Sequence, residues 1–150
     1  HALKYQGKRR IAHWMAQQSA ELLPKEHPVL QCDGIVPVPL HHSRQRKRGF
    51  NQVTGFGQYW ATRLDVPFLD HLLLRKNQTR TLVHMSRESR WEEVKNAFSI
   101  RPRKEYKHLL LVDDVITTGA TLTACGNILL NGACDKISVM GVACAQNILP

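Results

Sequence analysis

The chain has 150 residues, of which 43% are apolar and 22% charged. This length is enough for one domain with a hydrophobic core and too short for two domains of ordinary size. Its formal net charge of +9 predicts a polyanionic partner or a positive cleft, and pyrophosphate, nucleotides and nucleic acid all qualify. No apolar run has the length of a membrane span, and the basic N-terminus leads into an amphipathic segment rather than a signal peptide.

None of the four cysteines belongs to a C-x-x-C pair, so a zinc ribbon within the chain is not indicated. Cys125, Cys134 and Cys144 fall in apolar patterns and are expected to be buried free thiols, which suits a reducing cytoplasmic location. Because the chain begins at His1 and not at a methionine, a fragment of a longer protein is one interpretation.

The first predicted element is a helix that Pro24 closes. Its apolar residues recur at helical spacing: Ile11, Trp14, Met15, Leu22 and Leu23. The favoured interpretation is a surface helix that packs on a sheet. Ile35 and Val36 then form the first core strand, which must end or lie exposed at Pro37 and Pro39 because proline cannot donate to a ladder.

A basic loop from His41 to Arg48 follows, and Asn51 can cap the next helix. The apolar face of that helix is formed by Val53, Phe56, Trp60 and Leu64. A strand, a basic loop and a helix in this order suit a departing pyrophosphate, which needs cations and oriented amides. The alternative is a solvated charge run.

The middle of the chain alternates apolar and cationic segments. Residues 66–74 predict a strand pair or a strand with an approach loop, and residues 75–81 predict a polar, cationic loop. Ser86 can cap a short predicted helix from Arg87 to Val94, which leads into an edge strand at Phe98 and Ile100.

The most informative stretch runs from Leu109 to Thr121. Four aliphatic residues predict a strand buried on both faces, and Asp113 and Asp114 follow where that strand should end. The turn Thr-Thr-Gly-Ala-Thr then offers hydroxyl donors and a glycine ahead of a helix N-terminus, which attracts phosphate. Carboxylates can accept hydrogen bonds from a sugar diol, so the stretch predicts a ribose 5-phosphate site beyond the carboxyl end of a strand.

The predicted helix runs from Leu122 to a stop at Asn131-Gly132, with one apolar face, and residues 136–145 predict a final aliphatic strand. The sequence contains no dinucleotide-binding fingerprint, P-loop, H-E-x-x-H or G-x-S-x-G motif. Those chemistries are therefore not indicated.

The stretch from Leu109 to Thr121 closely resembles the phosphoribosyl pyrophosphate (PRPP) signature of type I phosphoribosyltransferases. Val-Pro-Val-Pro-Leu, which ends at Leu40, and Arg-Gly-Phe-Asn-Gln, which ends at Gln52, resemble the ComF/GntX-type phosphoribosyltransferase-like family, linked to competence and DNA uptake. The resemblance covers nearly the whole chain. It implies one Rossmann-like α/β domain over residues 1–150, with a central, mostly parallel sheet flanked by helices, a small hood and a flexible loop at about 75–96.

The resemblance also implies a function in nucleotide metabolism. The protein would be a glycosyltransferase that binds PRPP with Mg²⁺ and releases pyrophosphate, with a base or ammonia as the unknown acceptor. Asp113 and Asp114 would be catalytic. The substrate-binding residues would be Thr117, Thr118, Gly119, Ala120 and Thr121 for the 5-phosphate, and Pro39, Leu40, His41, Arg44, Arg46, Arg48, Arg75 and Lys76 for pyrophosphate. No dedicated metal site is expected, since Mg²⁺ needs few protein ligands.

Three departures from the family pattern keep alternatives open. Leu82 and Glu93 stand where the family favours glutamine and asparagine, and the family's N-terminal zinc module is absent from this chain. One alternative is a competence accessory protein that binds single-stranded DNA or partner proteins and keeps a regulatory or vestigial PRPP pocket. Another is a regulator that binds PRPP without turnover. The oligomeric state, a homodimer included, stays open.

Overall fold

The computed structural model of the chain describes residues 2–40, 51–76, 97–101 and 106–145. Its helices are α1 (Ala2–Leu22), α2 (Gln52–Leu64) and α3 (Ala120–Leu130), with one 3-10 turn at Pro28–Gln31. Its strands are β1 (Gly34–Pro37), β2 (Leu73–Arg75), β3 (Phe98–Ile100), β4 (Tyr106–Ile116) and β5 (Cys134–Cys144). The chain is therefore an α/β protein, as the sequence predicts.

The main sheet has the order β1-β4-β5, and both pairings are parallel. Ile35 also forms a single parallel bridge with Phe68 on the outer side of β1. Strands β2 and β3 form a separate antiparallel pair, which confirms the predicted edge strand at Phe98 and Ile100. Because the parallel strands run together, the carboxyl ends of β1 and β4 meet at one edge of the sheet.

The sheet is covered on both faces, which gives three layers. Leu110 and Val112 of β4 pack in one cluster with α1 and α2, and Leu109 and Leu111 pack in another with α3, β2 and β3. All four side chains are fully buried, so the predicted strand with two buried faces is confirmed. The other described helices and strands are arranged around this strand.

Pro37 and Pro39 fit at the end of β1 because their nitrogens face away from β4. Val38, between them, donates its N–H to a β4 carbonyl at 2.8 Å. Ile35 lies two residues before Pro37, so its backbone groups point to the same outer side as the proline nitrogens. There its N–H donates to the carbonyl of Pro67 and its carbonyl accepts from the N–H of Leu69. The strand ends at Pro37, as predicted, and no ladder donor is lost.

The predictions for α2 and α3 are confirmed. The side chain of Asn51 caps α2 by accepting from the N–H of Val53 at 3.3 Å, and the helix buries Phe56 and Trp60. Helix α3 begins slightly earlier than predicted, at Ala120, and ends at the expected stop.

Helix α1 is confirmed, but the prediction of its core-facing side is wrong in part. Ile11 and Trp14 are each 58% exposed, whereas Ala16 is fully buried. Small residues face α2 because the bulky Trp60 packs there, and its Nε1–H donates to Ser19 Oγ at 3.2 Å. Apolar spacing alone does not separate the two sides of this helix, since both carry apolar residues.

The cysteines are free thiols among the described residues. Cys32, Cys125 and Cys134 are buried, and burial raises the pKa of Cys125 to about 12. The prediction that Cys144 is buried is wrong, because β5 passes beyond the core at its C-terminal end. None of the described helices combines the length and the apolar character that a bilayer crossing requires.

Candidate functional site

The turn between β4 and α3 is held in shape by its own hydrogen bonds. Gly119 has φ 73° and ψ −5°, in the left-handed region, and a Cβ there would meet no atom within 4 Å. Backbone conformation therefore requires this glycine, and crowding does not. Its carbonyl accepts from the N–H and the Oγ1–H of Thr123, at 2.8 and 3.0 Å, and Thr118 Oγ1 accepts from the N–H of Ala120 at 3.4 Å.

A small cleft of about 30 Å³ lies at this turn. It is lined by Asp113, Val115, Ile116, Thr117, Gly119, Ala120, Thr121 and Leu122. Five of the predicted site residues thus share one cleft at the N-terminus of α3, where the first amides have no partner within the helix. Thr117 and Thr118 are exposed, so a ligand larger than a water molecule would sit across the mouth of the cleft.

The two carboxylates lie within β4 and not after it, which corrects the predicted end of the strand. The strand continues to Ile116 because β5 pairs with it as far as Cys144. Pairing with β5 is interrupted at Asp114, and backbone N–H groups turn to the side chains there. The N–H of Asp114 donates to Asp113 Oδ1 at 2.8 Å, and the N–H of Val115 donates to Asp114 Oδ1 at 2.9 Å.

Burial raises the pKa of Asp113 to about 6. The backbone N–H of Asp114 opposes this increase, and the neighbouring Asp114 carboxylate adds to it. Two neighbouring carboxylates offer several acceptor oxygens and negative charge, so the pair is suited to a ligand that donates hydrogen bonds or carries positive charge.

A second cleft of about 390 Å³ lies at the end of β1, within the size range of small-molecule sites. It is lined by Pro37, Pro39, Leu40, Asn51, Thr54, Asp70, His71, Leu73, Leu74 and Arg75. Pro39, Leu40 and Arg75 were predicted. Four further lining residues were not predicted as site residues: Asn51, Thr54, Asp70 and His71. The Asp-His pair interrupts an apolar run, and that interruption is a signal for a site in the sequence.

Contacts around the second cleft connect separate parts of the chain. Asn51 Nδ2–H donates to the carbonyl of Val38 at 3.0 Å, which joins the end of β1 to the start of α2. His71 Nε2 lies 3.2 Å from Asp70 Oδ1. The Arg75 guanidinium stacks 5.2 Å from the centre of the Phe98 ring, so its charge is fixed at the base of the β2–β3 pair.

The two halves of the predicted site meet at one edge of the sheet but in two clefts. Pro37 is opposite Val112, one residue before Asp113. Lys76 is exposed, and its backbone N–H donates to Ala97 at 2.8 Å, without lining either cleft. Several predicted features lie outside the described residues: His41, Arg44, Arg46, Arg48, the loop beyond Lys76, Leu82, Glu93 and the helix from Arg87 to Val94.

The described part of the chain contains no group of three or more metal-ligating side chains. A metal held by this part of the chain would therefore need ligands from its substrate.

The fold is shared with solved phosphoribosyltransferase structures. The glutamine PRPP amidotransferase from B. subtilis, solved with ADP and GMP, superposes with a TM-score of 0.55 and 16% identity, covering 90% of this chain and 26% of that chain. A structure described as the allosteric regulatory enzyme of purine biosynthesis gives a TM-score of 0.55 and 17% identity, covering 90% of this chain and 25% of that chain. The chain has the type I phosphoribosyltransferase fold.

Sequence relatives place the chain more narrowly, although no protein-family model matches it. It is 36% identical over 140 residues to competence protein F of Haemophilus influenzae, covering 87% of this chain and 61% of that protein. It is 35% identical over 142 residues to the DNA utilization protein YhgH of Salmonella typhimurium, covering 93% of this chain and 63% of that protein. The chain is thus a homologue of competence protein F and YhgH, which agrees with the resemblance seen in the sequence, and it spans about three fifths of the length of these curated relatives.

Proposed function

We propose that the chain binds PRPP with Mg²⁺ at the carboxyl edge of its sheet and transfers the phosphoribosyl group to an acceptor, with release of pyrophosphate. The observation that supports this best is the cleft that joins Asp113 to Thr117, Gly119 and Thr121 at the N-terminus of α3. A phosphate, a sugar and a leaving group each need different chemistry, and the described residues offer all three.

The 5-phosphate would lie across the mouth of the small cleft. The first amides of α3 and the threonine hydroxyls are donors, and the helix dipole adds a partial positive charge. Gly119 lets the backbone turn toward the ligand without a side chain in the way. This arrangement favours a dianionic group on a small polar ligand.

The ribose would lie against the acidic pair. Ionised Asp113 and Asp114 accept hydrogen bonds from the sugar hydroxyls and stabilise the positive charge that develops at C1 as its bond to pyrophosphate loosens. Two carboxylates are also the ligands that Mg²⁺ accepts when substrate oxygens and water complete its shell. When bound, Mg²⁺ would neutralise charge on the pyrophosphate.

The pyrophosphate would leave toward the second cleft, on the β1 side. The Arg75 guanidinium is held there by Phe98, beside Pro39 and Leu40. The C1–O bond to pyrophosphate breaks with its electron pair on oxygen, and a nitrogen nucleophile forms the new bond to C1. Arg44, Arg46 and Arg48 belong to the same proposal through the family resemblance.

Calorimetric titration of PRPP with Mg²⁺ tests the proposal. Asp114→Asn should weaken PRPP binding at least tenfold, about 1.4 kcal/mol, because the carboxylate is replaced by a neutral amide. Asp135→Asn is the matched control, since it removes the same charge from the exposed start of β5, at the opposite edge of the sheet. Equal PRPP affinity in both variants and the parent chain would count against a phosphoribosyl site.

A second candidate function is DNA binding, which the names of the relatives and the net charge of +9 favour. Trp60 is fully buried and cannot stack on a base, whereas Trp14 is 58% exposed. Fluorescence anisotropy with a single-stranded oligonucleotide between 50 and 200 mM salt is the test. DNA binding would be supported by an affinity that falls steeply with salt and does not change when PRPP is added. The Trp14→Ala variant should then bind the oligonucleotide more weakly.

A further inference from the structure

Strand β5 has one paired side and one outer side. β4 covers the first side, and none of the described strands covers the second. The carbonyl of Val112 accepts from Val38 of β1, so the next residue back, Leu111, turns its backbone groups toward β5. Leu111 is opposite Val139, and in a parallel ladder only one of two opposite residues bonds across the pair. The N–H and C=O of Val139 therefore point outward, as do those of Ile137 and Gly141.

This outer edge lacks the features that usually protect an edge strand. Residues 137–145 contain no charged residue and no proline, and Val139 on this edge is 46% exposed. Edge strands in soluble proteins are normally short or interrupted by charges, prolines or bulges, because unpaired N–H and C=O groups recruit another strand. A strand of 11 residues whose last eight are uncharged is suited to recruitment of that kind.

We propose that β5 pairs with β5 of a second copy of this chain, antiparallel and about a two-fold axis near Val139 and Gly141. An edge of backbone donors and acceptors requires an extended strand as its partner. Among the described strands β5 alone offers an outer edge of this length, since β1 has four residues and residues 67–69 already bond to its outer side. The partner with a matching length is therefore another β5.

The charges at the ends of β5 select the antiparallel direction. Asp135 and Lys136 stand at the N-terminal end, and the C-terminal end is uncharged. A parallel pair would place Asp135 opposite Asp135 and Lys136 opposite Lys136, and like charges across a ladder are destabilising. An antiparallel pair places both charges opposite the uncharged end, and a two-fold contact of this type closes at two copies.

The dimer would be a continuous sheet of six main strands. Because the two copies run in opposite directions, their carboxyl edges point to opposite sides of the assembly. Both pairs of clefts therefore stay open to ligand, so the inference does not depend on the proposed function.

Light scattering on the eluting chain tests the contact at micromolar concentrations. The parent chain should elute at twice its 17.1 kDa mass, and Val139→Lys should elute as a monomer with an unchanged circular dichroism spectrum. Leu130→Lys is the matched control, because Leu130 is also 46% exposed but lies on α3, and it should remain a dimer. A monomeric parent chain, or a Val139→Lys variant that stays dimeric, would overturn the proposal.

The direction of pairing has its own test. Cys144 is the exposed thiol among the four cysteines, so a nitroxide label attaches there selectively. Antiparallel pairing separates the two labelled backbones by roughly 25–30 Å, from about 3.3 Å per residue, whereas a parallel pair would bring them within about 5 Å. A pulsed electron paramagnetic resonance distance below about 15 Å would refute the antiparallel arrangement.

Discussion

Asp113→Asn should make the chain more stable at neutral pH while it removes a carboxylate from the candidate site. Burial raises the pKa of Asp113 from the ordinary 3.8 to about 6, so the folded chain holds a proton that the unfolded chain has released between about pH 4 and 6. Stability therefore falls as pH rises through this window and stays lower above it. Asparagine cannot ionise, and its side-chain oxygen can still accept from the N–H of Asp114.

The size of the effect follows from the pKa difference. About two pKa units at 1.36 kcal/mol each give an upper limit of roughly 3 kcal/mol. Because the carboxyl borders an open cleft, solvent reduces this to roughly 1–2 kcal/mol. The variant should gain this free energy of unfolding at pH 7.5 and almost none at pH 4.5.

Urea unfolding between pH 4.5 and 7.5, followed by circular dichroism, measures the gain. Asp135→Asn controls for the change in net charge, because that residue is exposed. If the parent chain is equally stable at pH 5 and pH 7, and Asp113→Asn adds nothing, the carboxyl is not in a desolvated site. A gain in stability with a loss of PRPP binding would be the usual trade between stability and function at a ligand site.

Two further predictions concern the shape of the site. Gly119→Ala should destabilise the chain by about 1–2 kcal/mol, because alanine is strained in the left-handed backbone conformation of this residue. Gly126→Ala in the middle of α3 should be neutral or stabilising by about 0.5–1 kcal/mol, since the nearest neighbour of its Cβ would be 3.9 Å away. Thermal unfolding compares the two variants, and equal effects would show that φ at Gly119 is not the cause. Asn51→Ala should lower the free energy of unfolding by about 1–2 kcal/mol, because both the cap of α2 and the hydrogen bond to Val38 are lost. Asn127 is exposed on α3, so Asn127→Ala should leave stability unchanged. An equal loss of stability in both variants would refute the capping role of Asn51.

The sequence predicts those parts of the fold in which local chemistry and burial agree. The aliphatic run at Leu109 specifies a strand with two buried faces, Asn51 specifies the start of α2, and Gly119 specifies the turn before α3. In each case a single residue type or a short run carries the physical requirement, so no distant partner is needed to read it.

The features that the sequence does not reveal depend on distant partners. β4 extends past Asp114 because β5, some 28 residues later, pairs with it to the end. Ala16 faces the core because Trp60 of α2 packs against that side of α1, and the sequence of α1 alone does not indicate this. The second cleft brings Asp70 and His71 next to Asn51, and only the packed structure shows that these segments are neighbours.

The two prolines at the end of β1 have a consequence for how the sheet assembles. If β1 slipped by one residue along β4, a ring nitrogen would replace the amide of Val38, and a carbonyl of the central strand would lose its donor. The same slip would turn Ile35 and Val36 to the wrong layers. A misaligned β1 would therefore lose both a hydrogen bond and its core packing, so the residues that end the strand and fill the core also select its alignment.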